Sequence, residues 1–211
     1  MSAVRIQAGQ SVLFQGDSIT DAGRSRENPA ELGRGYPHLV AAWFGMLQPE
    51  LRVRFLNRCI SGNRARDLQS RWQADCLDLK PDWVSILIGI NDTWRRFDRQ
   101  DPTAAADFAA SYRDILRRTQ DALQARLILL EPFVLPHPAD RKAWREDLDP
   151  KIAVVRELAL EFNAVYIPLD GLFAAAAARR EPSFWAADGV HPTPSGHALI
   201  ARAWLEAVGV C

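Results

Sequence analysis

"WVSILIGIND", residues 83–92, decides the fold. From Trp83 to Ile90 the chain carries no charged side chain and one hydroxyl. That run is far too short to cross a bilayer, which takes about 20 apolar residues. It reads instead as a strand that is apolar on both faces. Such a strand has to be covered on both sides, as in a parallel sheet between two helical layers.

Working outward, the same reading recurs. "SVLFQG" (11–16) is a first strand, "RVRFLNR" (52–58) a second and "DWVSILIGI" (82–90) the third. "ARLILLEPF" (125–133) and "AVYIPL" (164–169) are the fourth and fifth. Helical patterns separate them. Leu39, Val40, Phe44 and Leu47 recur at helical spacing over Tyr36 to Met46, and Leu68 to Leu79 follows the second strand. Phe108, Tyr112, Ile115, Leu116 and Leu123 mark one stripe, and Ile152, Val155, Leu158, Ala159 and Phe162 another. "SGHALIARAWLEAVG" (195–209) closes the chain, with Ser195 as N-cap and Gly209 as stop. Strand and helix in alternation mean an α/β domain with a parallel sheet.

The chain has 211 residues and no compositional break, so residues 1–211 read as a single domain. The alanine run 174–178 is the one low-complexity stretch and reads as a short helix. Two polar segments, Asp21 to Gly35 and Trp94 to Pro102, read as loops. With 26 basic and 26 acidic residues the formal net charge is zero, so no general attraction to nucleic acid or to an anionic membrane is expected. The N-terminus lacks an apolar run of signal-peptide length. Cys59, Cys76 and Cys211 form no paired spacing and read as free thiols, which suits a cytoplasmic location. His38, His137 and His197 read as structural. None has a partner four residues on, so neither a metal nor another cofactor is expected. "GRGYPH" (33–38) has the glycines of a nucleotide loop but no P-loop lysine, and it does not follow a strand.

In an open parallel sheet, ligands bind beyond the carboxyl ends of the strands. The residues placed there are Asp17 and Ser18, then Ser61 to Asn63, then Gly89 to Asp92, with "DGVHP" (188–192) able to return to the same edge. Acyl transfer to a serine needs a base for its proton, and an acceptor that fixes the tautomer of that base. Ser18, His191 and Asp188 fill those roles. The backbone N–H groups of Ser18 and Gly62 and the side-chain amide of Asn91 are donors for the developing oxyanion. Each residue has a duller reading when taken alone. Ser18 reads as a turn or helix cap, Asp17 as a structural acceptor for loop amides, and Gly62 as a turn glycine. Asp188 reads as a cap and His191 as a satisfied loop histidine.

Together, "GDSIT", "SGN", "GIND" and "DGVHP" resemble, in the right order, the four signature blocks of the GDSL, or SGNH, hydrolase family. Ile19 stands where the family name has leucine. The resemblance implies a flavodoxin-like three-layer α/β/α sandwich, the SGNH hydrolase fold, with a five-stranded parallel sheet of order 2-1-3-4-5. It places the nucleophile on Ser18, the histidine on His191 and its aspartate on Asp188. The oxyanion donors fall on Ser18, Gly62 and Asn91. It implies hydrolysis of a small-molecule ester without a cofactor.

Two further observations narrow the ester. The polar loops carry Arg24, Arg26, Glu27, Asn28, Arg34, Arg95, Arg96 and Asp98, where a lipase for long acyl chains would be apolar. Trp94 and Trp185 adjoin the third and fourth blocks, and aromatic faces beside hydrogen-bonding groups suit a sugar ring. Arg24, Trp94 and Trp185 are therefore candidate substrate-binding residues, with core packing or an interface the bland reading of the tryptophans. Longer stretches, "GDSITDAGRSR" and "HPTPSGHALIARAWL" among them, resemble the intracellular bacterial acetylxylan esterase branch. That implies an acetylated sugar as substrate and assembly as a homo-oligomer. An acyl thioesterase or lysophospholipase-type hydrolase is the alternative within the family. A non-catalytic sugar-binding domain is the alternative outside it.

Overall fold

The computed structural model describes residues 4–210, so Cys211 lies outside the described residues. Five strands, β1 (Ser11–Gly16), β2 (Arg54–Asn57), β3 (Trp83–Leu87), β4 (Arg126–Leu130) and β5 (Val165–Ile167), pair in parallel in the order 2-1-3-4-5. Each lies inside a stretch read as a strand.

The pleat sorts neighbouring residues onto two cores. Val12, Phe14, Trp83, Leu87, Ile128 and Leu130 face one, while Leu13, Val84, Ile86, Leu127 and Leu129 face the other. Ser85 falls on the first face, and there its hydroxyl accepts the Trp204 indole N–H at 3.1 Å. Helices α2 (Tyr36–Leu47) and α9 (Pro194–Ala207) cover that face. Helices α3 (Ala65–Asp75) and α5 (Ala105–Leu123) cover the opposite one. Helix α6 (Arg145–Glu161) gives Leu148 and Ile152 to the first core and Val155 and Leu158 to the second, so it wraps the β5 edge. Short α1 (Ser18–Asp21), α4 (Ile90–Arg99), α7 (Leu169–Ala177) and α8 (Pro182–Trp185) complete the α-helices of the described residues. The alanine run forms the end of α7.

Three sequence expectations give way. Residues 94–99 are helix α4 and not a loop, because Arg95 pairs with Asp98 one turn on and Arg96 and Arg99 occupy the last turn. The chain leaves that helix only at Gln100, in the left-handed conformation. Helix α9 is capped by Thr193 and not Ser195. The Thr193 hydroxyl accepts the Gly196 N–H at 3.3 Å, and Pro194 takes the first helical position, where its missing donor costs nothing. Leu47, read as part of the α2 stripe, is 38% exposed.

Candidate active site

Because the strands are parallel, β1 and β3 deliver their chain exits to one edge. At the end of β1 the Asp17 carboxylate accepts the Ile19 N–H at 3.0 Å and caps α1. Asp17 is the cap, so the Ser18 hydroxyl is not spent on the backbone. Ser18 Oγ lies 2.9 Å from His191 Nε2, and His191 Nδ1 lies 2.7 Å from Asp188 Oδ2. A carboxylate can only accept, so Nδ1 carries the imidazole proton and Nε2 faces the serine as an acceptor.

The turn that presents His191 is fastened from two sides. Asp188 Oδ1 accepts the N–H groups of Val190 (3.0 Å) and His191 (2.7 Å), folding the carboxylate back onto its own loop. Gly189 has φ +82° and lies so close to the segment after β4 that a Cβ would sit 2.1 Å from the His137 carbonyl oxygen. In return the Leu135 N–H donates to the Gly189 carbonyl (2.8 Å), and Arg141 Nε donates to the Asp188 carbonyl (3.3 Å).

The candidate oxyanion donors arrive on two more strand exits. After β2, the Ser61 N–H and hydroxyl both donate to Asp21 Oδ2 at 3.0 Å, and the Ile60 N–H reaches the Gly16 carbonyl at 3.4 Å. Those bonds tie the segment leading into Gly62, at φ +85°, to the last residue of α1 and to the end of β1. Asn91 sits in the first turn of α4, buried to 3% exposure, and its amide nitrogen donates to the Asn63 carbonyl at 3.1 Å. Asn91 is thus tied to the residue after Gly62, and the parallel strands β1, β2 and β3 bring Ser18, Gly62 and Asn91 to the same sheet edge.

Charge follows this geometry. The bond from Asp188 raises the His191 pKa above its ordinary 6.5, against burial, which lowers it. Burial raises the Asp188 carboxyl, but its bonds to the His191 ring and to the backbone N–H groups outweigh that and hold it well below the usual carboxylate range. Burial pushes Asp17 up to about 7, partly offset by the Ile19 N–H. Asp92, whose Oδ2 accepts the Ala65 N–H at 3.1 Å, is likewise raised to about 7 by burial.

Of the candidate substrate residues, Trp94 lies at the site. Its ring centre is 5.7 Å from that of His191 and 5.2 Å from Trp144, and the Arg141 guanidinium covers both tryptophans at 5.3 and 4.1 Å. Arg24 donates from Nε and Nη2 to the Cys59 carbonyl at 3.1 and 3.0 Å. The Trp185 indole N–H is directed to the Arg180 carbonyl at 3.2 Å, and the ring packs edge-on against Phe184. Arg95 and Asp98 pair with each other, and Arg96 pairs with Glu146 and Asp147. Among the described residues no three His, Cys, Asp or Glu side chains converge to hold a metal. Burial lowers His197 to about 4, and it accepts the Tyr36 N–H at 3.2 Å, a structural bond as expected.

Residues 14–199 match the GDSL-like lipase/acylhydrolase family. The chain belongs to that family. An acetylxylan esterase of Geobacillus stearothermophilus is 36% identical over 214 residues, covering 98% of this chain and 97% of that one. A solved structure of the same enzyme has a TM-score of 0.88 at 35% identity, over 97% of this chain and 96% of that one. A GDSL-like lipase of Parabacteroides merdae superposes with a TM-score of 0.94 at 34% identity over the whole of both chains. Variants of the Geobacillus enzyme called catalytic mutants have alanine in place of one serine, one aspartate and one histidine. This GDSL chain is a serine esterase.

Several bonds that build the site left no mark in the sequence. Asn57 donates to the Thr20 and Leu32 carbonyls (2.8 and 2.9 Å) and accepts the Cys59 N–H (2.9 Å), fixing the first loop against β2. Asp21, Arg95 and Arg141 are similarly employed. Their partners lie far off in the chain or on a helix read as a loop, so neither spacing nor composition points to them.

Proposed function

We propose that this esterase removes acetyl groups from carbohydrate esters, acetylated xylo-oligosaccharides first among them. The observation that carries the chemistry is the unbroken chain Ser18 Oγ, His191 Nε2, His191 Nδ1, Asp188 Oδ2, at 2.9 and 2.7 Å. Ser18 attacks the acetyl carbonyl while His191 takes its proton. The oxyanion is held by the N–H groups of Ser18 and Gly62 and by the Asn91 amide. His191 then gives the proton to the departing sugar oxygen, leaving an acetyl-serine. A water that loses its proton to His191 releases acetate and restores the serine.

The substrate class is supported by Trp94 beside His191, an aromatic face that a pyranose ring can stack on, and by the activity named for the Geobacillus relative. Its alanine-substituted aspartate and histidine stand three positions apart, as Asp188 and His191 do. The free, buried thiols of Cys59 and Cys76 support a cytoplasmic setting. No helix of the described residues is long and apolar enough to cross a membrane. A homo-oligomer belongs to the same proposal, since Trp43 and Met46 leave more than half of their surface exposed on α2.

Acetate release from acetylated xylo-oligosaccharides, other acetylated sugars and an acyl series of p-nitrophenyl esters tests the reading. The expected result is a preference for acetylated xylo-oligosaccharides. A steep preference for chains longer than butyrate would replace it with the thioesterase or lysophospholipase alternative.

A further inference from the structure

We propose that Arg95 is a positioning residue of the oxyanion hole, holding the Asn91 amide in the one orientation that keeps an N–H for the substrate. The inference rests on the serine-esterase reading above, in which Asn91 is an oxyanion donor.

An asparagine side chain has two nearly isosteric orientations, and only one turns its NH₂ toward a developing oxyanion. Here both sides of the amide have partners of opposite kind. Asn91 Oδ1 lies 3.2 Å from Arg95 Nη2, and a guanidinium can only donate. Asn91 Nδ2 lies 3.1 Å from the Asn63 carbonyl oxygen, which can only accept. A flipped amide would set NH₂ against guanidinium and oxygen against oxygen, losing both bonds at a buried site. In the native orientation one Nδ2 hydrogen is used on Asn63 and the second remains.

Helix α4 makes this grip possible. Asn91 and Arg95 are four residues apart, so they share one helical face. The second arm of the guanidinium pairs with Asp98, one turn further on, and its carbon lies 5.8 Å from the Trp94 ring. With 16% of its side chain exposed, Arg95 is held by contacts on several sides and kept largely from water. The bond to Oδ1 also draws electron density from the amide, which makes Nδ2–H a stronger donor as negative charge grows across it. That gain is larger in the transition state than with the neutral ester, so it belongs in kcat and not in KM. A helix-stabilising role through Asp98 alone would leave kcat untouched.

Steady-state kinetics on p-nitrophenyl acetate decide between these, with thermal unfolding recorded for every variant. Arg95→Met is expected to lower kcat by about 10- to 100-fold, with KM within about twofold and the acid limb of the pH profile unmoved. Arg95→Lys should recover part of the loss, since an ammonium donates to Oδ1 but lacks the second arm. In an Asn91→Ala background Arg95→Met should cost nothing more, because the amide it orients is gone. Arg96→Met, on the same helix but paired outward, should keep the parental kcat. An undiminished kcat in Arg95→Met, or losses that multiply in the double variant, overturns the proposal. Should Arg95→Met melt below the assay temperature, Arg95→Lys in both backgrounds reads the same coupling. If Asn91→Ala itself keeps full activity, the fault lies in the oxyanion assignment, and the proposal falls with it.

Discussion

Ser18 Oγ and His191 Nε2 meet at 2.9 Å although 173 residues separate them in the chain. The contact exists because β1 delivers Ser18 to the sheet edge while the His191 turn, between α8 and α9, is fastened to the segment after β4. If the pair is nucleophile and base, Ser18→Ala should abolish turnover of p-nitrophenyl acetate. Asp188→Asn, which can leave the imidazole in the wrong tautomer, should lower kcat by about 10⁴-fold. A Ser18→Ala enzyme of parental activity would end the assignment.

The same bond to Asp188 sets the pH dependence. As the proposed base, His191 would work only when neutral, and the Asp188 hydrogen bond raises its pKa above 6.5. The acid limb of kcat/KM is therefore expected above that value, with activity rising as pH increases through it. Asp188→Asn removes the main cause of the shift, so the limb should move toward lower pH. A limb that stays in place in the variant would detach Asp188 from His191.

Much of this was legible in the sequence because it depends on local chemistry. The five strands, the edge at which Ser18, Gly62 and Asn91 gather and the Asp188–His191 turn all follow from short stretches with their own periodicity or turn residues. What was hidden depends on pairs. That Arg95 grips Asn91 required knowing that residues 94–99 are helical, and a run as charged as "TWRRFDRQD" lacks the apolar stripe that marks a helix. Arg24 and Trp185 stand next to signature blocks, but proximity in sequence does not say where a long side chain points, and it could not show that Arg24 holds the Cys59 carbonyl and Trp185 the Arg180 carbonyl.

Asp17 gives a stability prediction. The folded chain holds its carboxyl proton up to about pH 7, against 3.8 for an ordinary aspartate. Between those values the folded state binds more protons than the unfolded one, so the Asp17 contribution to stability falls as pH rises through that window. Its Oδ2 has no hydrogen-bond partner among the described residues, so the ionised form is a poorly compensated buried charge. Asp17→Asn keeps an acceptor for the Ile19 N–H and cannot ionise. Relative to the parent, its Tm should improve from about pH 5 to about pH 8. Parallel Tm curves over that range would show that Asp17 does not titrate there.

Gly189 sets the position of the His191 turn. Its φ of +82° disfavours any side chain, and a Cβ would meet the His137 carbonyl at 2.1 Å and the Leu135 carbonyl at 2.7 Å. Backbone atoms cannot swing aside as a side chain can, so Gly189→Ala has to shift the turn or the strand exit it rests on. A loss of about 1–3 kcal/mol in unfolding free energy is expected, together with a fall in kcat as His191 moves from Ser18. Denaturant unfolding and esterase assay on the same preparation check both, and an unaltered kcat would mean that the turn tolerates the displacement.

Trp94 separates substrate recognition from chemistry. Its ring stands 5.7 Å from His191, but no polar atom of it is needed for proton transfer, so its contribution depends on what the ester carries. An acetylated sugar can lay an apolar ring face on the indole, whereas p-nitrophenyl acetate brings its reactivity in the leaving group. Because Trp94 also packs on Trp144, a large aliphatic replacement is the cleaner variant. Trp94→Leu is expected to raise KM for acetylated xylo-oligosaccharides by about 3- to 10-fold, the range of one aromatic stacking contact. Its kcat/KM for p-nitrophenyl acetate should stay close to the parental value. Equal losses on both substrates would mean that Trp94 supports the His191 turn and leaves the sugar to other residues.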